Sequence, residues 1–176
     1  MSKLKVLMTF VVAVGALALI VGSPALAATP TTHTVYSFDL TSGDTATAPV
    51  AGIMAAAGDS IRVKGSGTFD PIARTVKASG KFVHYADGIV HCQGTWKATD
   101  FTSFVDFGVN NDGQEGGVLS LVVSHYCTTM GMTMTGIPMT VTSTVKVPAG
   151  YVAVAGITVG DFTLPTGGSV VMQPQQ

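Results

Sequence analysis

Residues 76–97 read VKASGKFVHYADGIVHCQGTWK. Val76, Ala78, Phe82 and His84 share one parity, and Lys77, Ser79 and Lys81 share the other. A period of two is the mark of a strand with one face buried, and the central Asp87-Gly88 is a hairpin signal. A three-residue loop, Ala86-Asp87-Gly88, with Gly88 left-handed, pairs Tyr85 with Ile89. Counting back sets His84 opposite Val90, Phe82 opposite Cys92, Gly80 opposite Gly94 and Ala78 opposite Trp96. Val90, Cys92 and Trp96 then go inward with His84, and His91, Gln93 and Lys97 go outward.

The same period extends in both directions. Strands are predicted near 33–40, 59–68, 74–85, 89–98, 101–108, 117–128, 132–135, 139–147 and 151–159, with a last one at 168–172. The one helical candidate, Val50 to Ala57, is short and lies between Pro49 and Gly58. Gly67-Thr68-Phe69, Gly80-Lys81-Phe82 and Gly94-Thr95-Trp96 repeat Gly-x-aromatic at the spacing of one strand and one turn. Glycine lets a strand bend and lets an aromatic ring lie over the neighbouring backbone. The pattern predicts an all-β, single-domain antiparallel β-barrel built as a meander, with a sandwich as the alternative.

Several local likenesses to functional motifs fail on inspection. Leu164-Pro165-Thr166-Gly167 lacks the x residue of the L-P-x-T-G sortase signal and any apolar, basic-ended tail. Gly58-Asp59-Ser60 resembles a hydrolase nucleophile block, but no histidine has an Asp three residues earlier. The Asn110–Gly117 loop places Gly108 where a calcium loop needs its first Asp, so a plain hairpin turn is expected. There is no G-x-S-x-G, H-E-x-x-H or phosphate-binding loop. No catalytic residue, cofactor or resident metal is assigned.

The amino terminus predicts export. Lys3 and Lys5 precede an uncharged apolar run, Leu7 to Val21, and Ala25 and Ala27 form an A-x-A site. Residues 1–27 read as a signal peptide cleaved before Ala28. The remaining 28–176 is one β domain, long enough for a real core. Taking Lys3 and Lys5 from nine basic residues leaves seven against ten acidic ones, a formal charge of −3. That balance argues against a nucleic-acid partner. No segment after the leader is long and apolar enough to anchor the chain in a bilayer. The protein is expected to be secreted, into the periplasm or outside the cell.

Ser124–Met134, SHYCTTMGMTM, raises the question of a metal site, because it gathers a histidine, a cysteine and three methionines. Leu119, Leu121, Val123, His125 and Cys127 share the inward parity. Met130, Met132 and Met134 share the parity of Tyr126, which puts them on the opposite, outward face. A regular strand then cannot bring Cys127 and the methionines to one ion, and only a bulge or turn at Thr128–Gly131 could reunite them. The methionines read as core or interface filler. Cys92 and Cys127, the only cysteines, both point inward in an oxidising compartment and are predicted to form a disulfide. The rival is a thiol pair that binds zinc or copper with His84 and His125. His33 and His91 are placed on the surface, and His84, Trp96 and His125 are the candidate ligand-binding residues.

Gly65–Pro71 (GSGTFDP), Ala78–His84 (ASGKFVH), Gly94–Thr99 (GTWKAT) and Glu115–Val123 (EGGVLSLVV), in that order, resemble a group of small exported all-β proteins of uncharacterised function. A more distant likeness is to the allene oxide cyclase and dirigent barrels. It implies an eight-stranded barrel with a small apolar pocket and transfers no catalytic residue. The leading functional expectation is an exported, non-enzymatic domain. It would bind a small apolar ligand inside, or a protein partner or second copy on its Met- and Thr-rich face. A cyclase-like barrel enzyme is the alternative, and a copper or zinc protein is the third reading.

Overall fold

Alternation of buried and exposed residues produces ten strands in the computed structural model, which describes residues 34–40 and 42–175. They are β1 (Tyr36–Asp39), β2 (Asp44–Thr47), β3 (Ser60–Asp70), β4 (Thr75–Ala86), β5 (Ile89–Val109), β6 (Glu115–Cys127), β7 (Met132–Ser143), β8 (Gly156–Val159), β9 (Leu164–Gly167) and β10 (Val171–Pro174). No helix occurs among the described residues, and 50–57 is a loop. The leader, its cleavage site and His33 lie outside the described residues.

The strands form one antiparallel sheet. Its spine is the meander β3-β4-β5-β6-β7. β1 pairs with β3 on one side and β10 on the other, and β10 meets β6 at Met172–Glu115. β2 pairs with the other half of β3 and with β9, and β8 pairs with β7. On the inner face, Tyr36, Phe38, Phe69, Phe101 and Phe104 stack at one end of the ladder. His84, Cys92, His125 and Cys127 occupy the other end.

The central hairpin departs from the expected register. Asp87 (φ 51°) and Gly88 (φ 75°) are both left-handed, the two-residue type I′ turn, so Ala86 pairs with Ile89 and Tyr85 with Val90. A bulge beside His91 then sets His84 opposite Cys92, Phe82 opposite Gly94 and Gly80 opposite Trp96. The slip amounts to two residues, which preserves parity: Phe82, His84, Cys92 and Trp96 are all buried. Val90, expected inside, lies before the bulge and is exposed. The strands predicted at 89–98 and 101–108 are one strand. Three register shifts between Ala98 and Gly108 bend it without ending its pairing to β6. β2 and β9 were not predicted; four residues each, Asp-Thr-Ala-Thr and Leu-Pro-Thr-Gly, carry too little apolar pattern.

Candidate functional site: a pocket of thioethers and imidazoles

The β6–β7 hairpin decides what the chain presents at the disulfide end. Its turn is Thr128–Gly131, with Gly131 left-handed at φ 66°. The backbone N–H and the Oγ1 hydroxyl of Thr128 both donate to the Gln93 carbonyl, at 2.8 and 2.6 Å. Gln93 N–H donates to Thr129 Oγ1 at 3.3 Å. This ties the turn to β5. Beyond it, Met132 lies opposite Cys127, Thr133 opposite Tyr126 and Met134 opposite His125. Directly opposed residues share a face. Met132 and Met134 therefore lie on the face of His125 and Cys127, not on the reverse face that their numbering suggested. Parity does not carry through a turn.

Cys92 and Cys127 form the disulfide, with Sγ atoms 2.09 Å apart and Cα atoms 5.8 Å apart. It links the start of β5 to the end of β6. Beside it lies a cavity of about 240 Å³. Met54, Met130, Met132 and Met134 contribute thioethers to its wall, and His84, His91 and His125 contribute imidazoles. Phe82 and Phe162 close its inner side. Of six methionines after the predicted leader, four line this one space. A broader groove of about 610 Å³, lined also by Ile137, Pro138 and Asp161, shares Ile53, Met54, Met132 and Met134 with the cavity. Asp161 accepts a hydrogen bond from the Met54 amide, which holds the 51–57 loop over this wall.

The imidazoles differ in their surroundings. His84 is buried, and its Nε2–H donates to Asp59 Oδ2 at 3.0 Å. The Ala56 amide donates to the same oxygen. Ala56 N–H first, and His84 second, hold the Asp59 carboxyl below its ordinary range. His91, exposed as expected, meets the His84 ring edge-on at 5.2 Å. His125 is 1% exposed, and its ring stacks on Phe82 with centroids 4.4 Å apart. Burial pushes it down to about 4, so it is neutral at neutral pH. Neither of its ring nitrogens has a hydrogen-bond partner in the protein. A buried polar atom left in that state costs roughly 1–3 kcal/mol.

Of the three candidate ligand-binding residues, His84 and His125 line the cavity and Trp96 does not. Trp96 sits opposite His125 across β5–β6, but its indole turns over Gly65 and Gly80 and donates to the Lys64 carbonyl at 2.9 Å. Asp59, Met54 and His91 were not anticipated as part of the site. Asp59 shares the parity of buried Ile61 and Val63, a signal that was legible; Met54 lies in a loop with no periodicity. Among the described residues, no group of three His, Cys, Asp or Glu side chains converges as a metal would require. Among the described residues there is no helix long and apolar enough to cross a membrane. No protein-family model, no curated protein and no solved structure matches the chain.

Proposed function

We propose that the protein is an exported, non-enzymatic β-barrel that binds a small apolar ligand at its disulfide end. Closure into a barrel is supported by the circuit of pairings, in which β1 touches both β3 and β10 and β10 touches β6. Export is supported by the leader pattern and by the cysteine pair. The observation that carries the binding reading is the thioether wall shared by the 610 Å³ groove and the 240 Å³ cavity. The groove is of ligand size and the inner cavity is not. Methionine side chains adapt to varied apolar shapes. Ile53, fully exposed at the rim, leaves apolar surface open at the groove mouth.

The test is native mass spectrometry of protein from its own host, together with titration of N-phenyl-1-naphthylamine. A bound small mass, or probe fluorescence that falls several-fold in Ile53→Asp, is expected. Absence of both sinks the reading, and a bound protein mass would replace it with the partner reading. The Asp59–His84 pair beside the cavity favours a second form, a cyclase- or isomerase-like barrel with His84 moving a proton. Recovery of a chemically altered ligand from wild-type protein but not from His84→Gln would establish it.

A further inference from the structure

We infer that the inner cavity is a Cu(I) site whose donors are the His125 imidazole and the thioethers of Met132 and Met134. Three independent features place these groups together. Met134 lies directly opposite His125 in the β6–β7 ladder, and Met132 is its neighbour on the same face. All three line one cavity of about 240 Å³. His125 is 1% exposed with both nitrogens unpartnered, and its ring stacks on Phe82. Buried polar atoms nearly always find a partner, so a buried imidazole with none points to something the cavity takes up.

The donor chemistry selects the ion. Neutral thioethers are soft ligands, which favour Cu(I) over zinc, calcium or magnesium. No three His, Cys, Asp or Glu side chains among the described residues converge, so a borderline or hard ion lacks its usual ligand set here. The cysteines are joined to each other and supply no thiolate. Cu(I) accepts few donors and carries one charge, which suits a site without a carboxylate of its own. Asp59 is engaged by the Ala56 amide and His84. Half-exposed Met130 and Met132 and exposed His91 form the open side of the cavity. Burial keeps His125 in the unprotonated form that ligates.

This goes beyond the apolar-ligand reading and fails separately from it, since one rests on an organic mass or probe and the other on metal. The experiment is an anaerobic titration of the exported protein, disulfide intact by thiol assay, with ascorbate-reduced copper against bicinchoninate. One Cu(I) retained per chain is expected, with affinity reduced at least tenfold in Met132→Leu/Met134→Leu. These swaps keep volume and apolarity. X-ray absorption of selenomethionine-labelled, unmutated protein should show a Cu–Se contact, which needs no variant to fold. Loss of all copper to the chelator, equal retention by the double variant, a copper shell without selenium, or zinc held as tightly would each overturn the assignment.

Discussion

His125 and Asp44 are both buried and both lack partners, yet they bend stability in opposite directions with pH. Asp44 is fully buried on β2, and neither carboxylate oxygen has a hydrogen-bond partner. Burial pushes it up to about 6 from an ordinary 3.8, with Asp39 adding repulsion. Between those values the folded state holds a proton that the unfolded chain has released, so stability falls as pH rises and the loss is complete above pH 6. Asp44→Asn stays neutral throughout. It should be more stable than wild type by on the order of 2 kcal/mol at pH 7.5 and no more stable near pH 4, by urea melts at both. His125 has the reverse sign. Its lowered value means stability is present above about pH 6.5 and drains away as pH falls toward 4. His125→Phe keeps a ring against Phe82 and should gain on wild type progressively below pH 6. A pH-independent difference would show that His125 is not held neutral by burial.

At the level of strands and turns, glycine has two distinct uses here, and one substitution separates them. Gly88 in the β4–β5 turn has nothing near the position a Cβ would take, so only its left-handed φ opposes alanine. Gly88→Ala should cost about 1 kcal/mol. Gly80 is ordinary in φ, but a methyl there would overlap the Lys64 carbonyl and press on the Trp96 indole. Gly80→Ala should cost about 3 kcal/mol or more and shift Trp96 fluorescence, because the ring must leave the backbone it covers. Equal costs at the two positions would contradict this. The disulfide joins residues 35 apart, and replacing both cysteines by alanine should remove about 4 kcal/mol in chemical denaturation. The β6–β7 hairpin shows where reading elements from periodicity stops. Within β6 the alternation places His125 and Cys127 inward, as the burial confirms. Across Thr128–Gly131 it places the methionines on the wrong side, because face is inherited from cross-strand pairing and not from number.

For the whole molecule, β10 is four residues long, yet it pairs with both β1 and β6. Met172, its inward residue, is fully buried beside Glu115. Met172→Ala should cost about 3 kcal/mol and lower Tm by roughly 10 °C in a domain of this size. A surface-like response, under about 0.5 kcal/mol, would mean that β10 is not packed between β1 and β6. The pairing order also explains why the two ends of the buried face differ. Aromatic rings fill the end where β1 joins β3, while the end toward the β6–β7 turn is left to thioethers and imidazoles with space between them.

The local pattern was sufficient for the long strands of the central meander, for the inward faces of β4, of β6 and of β5 beyond its first bulge, and for the cysteine pair, because each follows from a period of two within a continuous strand. A two-residue register error left those faces unchanged, since it preserved parity. The pairing of short β1, β2, β9 and β10, the bends that make 89–109 one strand, and the meeting of Met54, Met132 and Met134 with His125 were not legible. They depend on contacts between segments far apart in sequence. Four-residue strands have too few side chains to encode a partner, and a turn resets the face of everything beyond it. Which chemistry stands around the cavity was therefore settled by how the strands pair with one another, not by the order of residues in Ser124–Met134.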